Sequence, residues 1–322
     1  MWPGINGDST PFPEDQRSMS QGPSTAQNAP ARLEDVEGWF WAVDQLLFDW
    51  ILSRQNEDPE RHGDLLELGA YMGKSAIFLG QYLRAGETFT VCDLFGAPAP
   101  DDSNVAETAS SYANLTRRAF EGNYLAFHDE LPVVIQAPTS VVATEVKAAS
   151  CRFVHIDASH LYEHVHGDIE SSRTVAAPGA VIVFDDYRSE HCPGVAAAIW
   201  GAVATAGLHV LCVTGNKLYA TWDDPAPLRE ALLSWLAGRE DLWHGVEEVA
   251  GAPLVRIGGQ HAVAPALPQS RYAAPAPAAS AAPAAPAAPT APARPAPSAL
   301  RKLAKDLLPP IIAREIAKQR RR

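Results

Sequence analysis

At 322 residues and a formal charge of −12, the chain is acidic and of ordinary globular composition, 47% hydrophobic and 20% charged. That balance argues against a nucleic-acid surface, because an acidic body repels phosphates. No apolar run reaches the roughly 18 residues of a spanning helix, and no basic-then-apolar leader opens the chain.

Residues 1–30, rich in Pro, Ser, Gly and Gln, read as a disordered tail. Over 34–54, Val36, Trp39, Phe40, Val43, Leu46, Leu47, Trp50 and Ile51 recur at helical spacing, which predicts a helix whose aromatic residues pack on the domain. A strand to Leu68, a glycine turn and a helix from about Lys74 follow. Further apolar runs predict strands at 88–95, 131–140, 152–160 and 179–187, with helical segments near 105–121, 141–149, 162–174 and 194–206. Such alternation implies a parallel sheet covered on both faces. "LHVLCV" and "KLYATW" are separated by Thr214, Gly215 and Asn216, a hairpin loop. A helical pattern at 227–238 and the strand-like "APLVRI" end the domain near residue 257. The expected fold is therefore α/β: a mostly parallel seven-stranded sheet with an antiparallel edge hairpin, folded over 31–257.

Residues 258–299 are dominated by Pro and Ala and read as a stiff linker. The last segment, 300–322, mixes Leu and Ile with basic residues; 301–322 holds eight Lys/Arg and two acids. It suits an amphipathic helix on an anionic membrane surface, or a tail docked on its own acidic domain. Four widely spaced cysteines without a CxxC pair fit buried thiols in a reducing cytoplasm, with peripheral contact at the inner membrane face through the tail.

The turn "ELGAYMGKSA" is one residue short of a phosphate-binding loop, and Tyr71 stands where a dinucleotide fingerprint needs glycine. What remains is E-x-G-x-x-x-G-x-S after a strand, with Asp93 ending the next strand and placed to accept two ribose hydroxyls. Asp157, Asp185 and Asp186 fall at the carboxyl ends of neighbouring strands, where open α/β sheets bind ligands. Three converging carboxylates repel, and a hard cation would relieve them: Mg²⁺, Mn²⁺ or Ca²⁺ by an all-oxygen donor set. A zinc reading through His160 and His164 lacks a third nitrogen or sulfur ligand at good spacing. His155 is expected to make a core hydrogen bond, and His164 and His166 to lie on the surface.

Over about 60–225 the chain resembles the Rossmann-like class I S-adenosylmethionine-dependent methyltransferases. "HIDASHLYE" and "FDDY" in turn resemble the Mg²⁺-dependent sugar O-methyltransferases of the macrocin and mycinamicin type and the cephalosporin-hydroxylase-like group. The resemblance implies that Gly69, Gly73, Glu67, Ser75 and Asp93 hold the cofactor. It further implies that Asp157, Asp185 and Asp186 bind the metal and that His160 is the general base. Ala158 and Ser159 depart from the glycine and second acid frequent in that group. The implied acceptor is a hydroxyl of a small molecule, sugar or glycan. A catechol-like phenol, or a non-catalytic scaffold tethered by the tail, are the alternatives, and a homo-oligomer fits either.

Overall fold

The computed structural model describes residues 29–98 and 115–274. The expected tail, most of the linker, the basic C-terminal segment and part of the loop after the second strand fall outside the described residues.

Nine strands form one sheet: β1 (Asp64–Leu68), β2 (Phe89–Asp93), β3 (Val133–Gln136), β4 (Cys151–Ile156), β5 (Ala176–Phe184), β6 (His209–Val213), β7 (Leu218–Thr221), β8 (Trp243–Val249) and β9 (Ala252–Gly258). Their order is β3-β2-β1-β4-β5-β7-β6-β9-β8. The first five are parallel, and β7 runs antiparallel to both β5 and β6. The sheet has two more strands than expected. The β6–β7 hairpin is also not at its edge, because β9 pairs in parallel with β6 and carries β8 outside it. Strand β8 was missed in the sequence because "WHGVEEV" puts polar or small residues at most positions, and its two faces stay largely exposed.

The helices are α1 (Ala42–Glu57), α2 (Lys74–Gly80), α3 (Arg117–Leu125), α4 (Val142–Glu145), α5 (Tyr162–Val175), α6 (Pro193–Thr205) and α7 (Ala226–Ala237). One core packs α1, α2, α3 and α7 on one side of the sheet, around Phe48, Phe78, Phe120 and Phe153. The other packs α4, α5 and α6 around Val154, Ile182, Ile199 and Leu218. Strands β1, β2 and β4 are buried on both faces, which is why their sequences carry no period-2 alternation.

Helix α1 starts eight residues later than the pattern predicts. Gly38 sits at φ 131° and Trp41 is extended, so the chain enters the helix only at Ala42. As a result Trp39 is 70% and Trp41 54% exposed rather than packed, whereas Phe40 is buried. The folded chain also runs past residue 257. The Ser270 hydroxyl, buried, donates to the Pro30 carbonyl at 2.6 Å, and the Arg271 amide to that of Ala126 at 2.8 Å.

Candidate active site

The strand order reverses direction between β1 and β4, the kind of switch point at which open α/β sheets bind ligands beyond the carboxyl ends of their strands. A cavity of 660 Å³ opens at that point, within the range of small-molecule sites. Its wall includes Gly69, Ser75, Asp93, Asp157, His160, Asp185 and Asp186. Seven of the nine residues singled out in the sequence therefore share one wall. Glu67 and Gly73 do not line it.

The glycine turn is shaped by crowding. Gly69 has φ 77°, and a Cβ there would overlap the carbonyl oxygen of Asp157. The backbones after β1 and β4 can approach only because this residue has no side chain. Gly73, at φ 94°, is the N-cap of α2 and faces the Phe120 ring, so its part is to set the helix rather than to touch a ligand. Tyr71 also has a positive φ, 49°. Asp93 fixes the turn from the neighbouring strand. Its Oδ2 accepts from the amides of Ala70 at 2.7 Å and Tyr71 at 3.1 Å, and its Oδ1 from Phe95 at 2.6 Å. Burial pushes its carboxyl upward against the pull of those three N–H groups.

Glu67 sits one layer below the cavity. It is fully buried, and burial pushes its carboxyl up to about 8, with the Ser75 hydroxyl pulling the other way. Ser75 thus touches both Glu67 and the cavity. Beside Glu67, on β4, stands His155, also fully buried. Its Nε2 lies 3.0 Å from the Nζ of Lys217, and its Nδ1 2.8 Å from the Oε1 of Glu67. An ammonium has only protons to offer, so Nε2 accepts and Nδ1–H donates to Glu67. Burial and the charge of Lys217 hold this imidazole well below its ordinary range, so it is neutral. The core hydrogen bond expected of His155 is present.

Lys217 is the residue that the sequence reading missed. It follows Asn216 in the β6–β7 turn, is 1% exposed, and its Nζ pairs with the Oδ2 of Asp185. Burial alone would strip its proton; Asp185, Asp157 and Asp44 outweigh that and raise it above the ordinary lysine value. The rings of Phe40 and Phe48 lie 5.8 and 6.0 Å from Nζ. The only signal in the sequence was a lysine at the start of the strand-like run "KLYATW", just after the hairpin loop.

Asp157 follows β4, and its amide donates to the Leu68 carbonyl at 2.8 Å. Burial, then repulsion from Asp185, raises its carboxyl well above the usual range, with Lys217 opposing. Ligand atoms of His155, Asp157 and Asp185 lie within 4.8 Å of one another. Asp186 turns differently: its Oδ2 faces His160 Nε2 at 3.3 Å and its Oδ1 accepts from Ser189 at 2.5 Å. Its φ of 53° is unusual for a residue with a side chain and aims the carboxylate along the rim. The His160 hydrogen bond leads the causes that lower Asp186 to about 2.

His160 lies in the loop before α5 and His164 on the helix, so the shared helix of the zinc reading is absent. His164 is half-buried in the cavity wall, with Nδ1 2.9 Å from Ser159 Oγ, while His166 is exposed as expected. At the cavity mouth Trp39 stacks on Tyr71 with ring centroids 6.1 Å apart, and Trp41 stands beside them. Among the described residues no helix is long and apolar enough to cross a membrane. All four cysteines are buried, and none forms a disulfide.

Residues 66–187 match the family profile described as a methyltransferase domain. No curated protein matches the chain. Among solved structures, the O-methyltransferase NovP is 17% identical with a TM-score of 0.44, over 55% of this chain and 79% of that one. CalS11, a TDP-rhamnose 3′-O-methyltransferase of calicheamicin biosynthesis, is 16% identical with a TM-score of 0.39, over 56% and 80%. TomG from Streptomyces achromogenes, an O-methyltransferase solved with SAM, is 17% identical with a TM-score of 0.30, over 67% and 77%. The matched segment spans β1 to the end of β5 and so contains the glycine turn, Asp93, Asp157, His160 and the Asp185–Asp186 pair. With that segment in place on the sheet, residues 66–187 of this chain are similar to a methyltransferase domain.

Proposed function

We propose that the enzyme is a metal-dependent O-methyltransferase that methylates a hydroxyl of a sugar or glycosylated product. The observation that carries this reading is the cavity wall, which joins His160 and three carboxylates to the turn of the cofactor site. The donor set fits a hard cation: Asp157 and Asp185 converge, and burial, with repulsion from Asp185 added, disfavours the ionised Asp157 that a cation would stabilise. When bound there by Asp157, Asp185 and Asp186, such a cation would supply Lewis-acid polarisation of the acceptor hydroxyl.

The chain's own residues supply the rest. Gly69, Ser75 and Asp93 line the part of the cavity proposed for the cofactor, with Glu67 and Gly73 shaping it from behind. His160 takes the hydroxyl proton at Nδ1, because its Nε2–H faces the Asp186 carboxylate. Asp186, 3.3 Å away, orients the imidazole and stabilises the imidazolium that results. The oxygen then attacks the sulfonium methyl in line, and the cavity's main contribution is to hold that geometry. Trp39 and Trp41 offer flat apolar faces at the mouth, suited to the C–H face of a sugar ring. The same faces favour a second reading, a catechol-like phenol acceptor.

Purified enzyme with labelled S-adenosylmethionine, assayed on sugar and on phenol acceptors with Mg²⁺ or EDTA, tests both. His160→Gln should cut turnover about 10²–10⁴-fold and leave cofactor affinity nearly unchanged. Full turnover in EDTA would remove the metal, and cofactor binding without transfer to any acceptor would favour the scaffold.

A further inference from the structure

His160 has a second set of neighbours. The segment Ser189–Cys192 folds back from β5 to the start of α6 and brings His191 and Cys192 to its side. The His160 and His191 rings meet edge to face, with centroids 5.6 Å apart. One ligand atom each from His160, His191 and Cys192 lies within 4.8 Å of the others. The approach is held from below. Gly194, in the first turn of α6, is packed so closely that a Cβ there would come within 2.8 Å of both the His160 carbonyl and the Tyr162 amide. The loop bearing His160 and the helix start bearing Cys192 are thereby fixed against each other. Asp186 stands on the open side, 3.3 Å from His160.

We propose that His160, His191 and Cys192 form a second metal site, for a soft divalent cation, with zinc the best match to two imidazoles and a thiol. In a tetrahedral zinc site, bonds of about 2.0–2.3 Å place neighbouring donors roughly 3.3–3.8 Å apart. Donors already within 4.8 Å need about an ångström of closure, and His191 is exposed, so its ring has solvent to turn into. Cys192 is buried, its Sγ directed at the carbonyls of Asp186 and Ser189, both 3.8 Å away. Binding exchanges its S–H for a sulfur–metal bond and releases one proton to solvent, with no change of oxidation state. The fourth position falls to water or to Asp186.

The donor chemistry separates this site from the carboxylates. Oxygen ligands select Mg²⁺ or Mn²⁺, whereas thiolate and imidazole select zinc. Occupation has a consequence that rests on the reading of His160 as the base: a zinc-bound Nε2 or Nδ1 cannot act freely in proton transfer. Zinc is therefore an inhibitor of the enzyme even when Mg²⁺ is saturating.

The test uses the full-length protein titrated with Co²⁺ in excess Mg²⁺, with absorption as the readout. A near-ultraviolet thiolate-to-cobalt charge-transfer band and strong visible bands of tetrahedral cobalt are expected. Cys192→Ser should remove the charge-transfer band. His191→Ala, a surface change that leaves the fold intact, should weaken Co²⁺ binding more than about tenfold and relieve inhibition by Zn²⁺. Absence of the band in the wild type, or a band unaltered in both variants, overturns the site. A band present while Zn²⁺ leaves turnover untouched overturns the inhibition alone. Because the spectra need no acceptor, failure to find methyl transfer would not be confused with failure of the site.

Discussion

Replacing Lys217 with Met tests whether the buried ammonium is the internal counter-ion of the carboxylates. The change keeps most of the side-chain volume and its contacts with Phe40 and Phe48 while removing the charge. Lys217 is 1% exposed, and the Asp185 side chain paired with it 13%. Removing one partner of a buried pair costs about 3–5 kcal/mol. A unit pair at about 4 Å with an effective dielectric near 20 gives about 4 kcal/mol, in agreement. For a domain of this size each kcal/mol lowers the melting temperature by about 2–4 °C, so a drop of about 6–20 °C in EDTA is expected. Mn²⁺ should restore part of it in the variant, about 2.7 kcal/mol at a hundredfold excess over its dissociation constant. The wild type, already holding a cation there, should gain less. Thermal and urea unfolding of both proteins in EDTA and in Mn²⁺ provide the measurement. A variant as stable as the wild type in EDTA would show that Lys217 does not neutralise the cluster.

Three further outcomes are expected. Gly69→Ala forces a side chain onto a left-handed residue that meets the Asp157 carbonyl; it should cost more than about 1–3 kcal/mol and abolish cofactor binding by calorimetry. Arg152→Met breaks a buried pair in which Nη2 reaches Glu87 Oε2 at 2.9 Å, far from the cavity. Unfolding should show a loss of about 3–5 kcal/mol, with cofactor affinity unchanged at temperatures where the variant is folded. Asp168 has its carboxyl pushed up to about 6 by burial. A raised folded value means that the native state binds the proton more tightly, so this group stabilises at low pH and that stability is lost as pH rises through about 6. Asp168→Asn should flatten the decline of stability between about pH 4 and pH 6 in urea titrations; an unchanged slope there would refute the assignment.

The parallel half of the sheet and seven residues of the cavity wall were legible in the sequence, because a strand buried on both faces announces itself as an unbroken apolar run ending in a polar residue. "FVHID" and "VIVFDD" have that form. Three features were not legible. Strand β8 has no apolar face to betray it, and the helical spacing through Trp39 continued across a glycine whose φ breaks it. Lys217 read only as the first residue of a strand, because nothing local says that its partners lie just after β5 and in α1. The neighbours of His160 were hidden for a related reason: His191 and Cys192 are some thirty residues away and reach it only through the packing of α6.

The outer strands bear on the chemistry without touching it. If the chain stopped after Thr221, it would retain the whole profile-matched segment and every polar group facing the cavity. Yet β6 would then have no neighbour on its far side, and the turn that presents Lys217 would hang from a frayed margin. The distal hairpin works as a buttress, and the smallest catalytic fragment of this enzyme is longer than the part that carries its reactive groups.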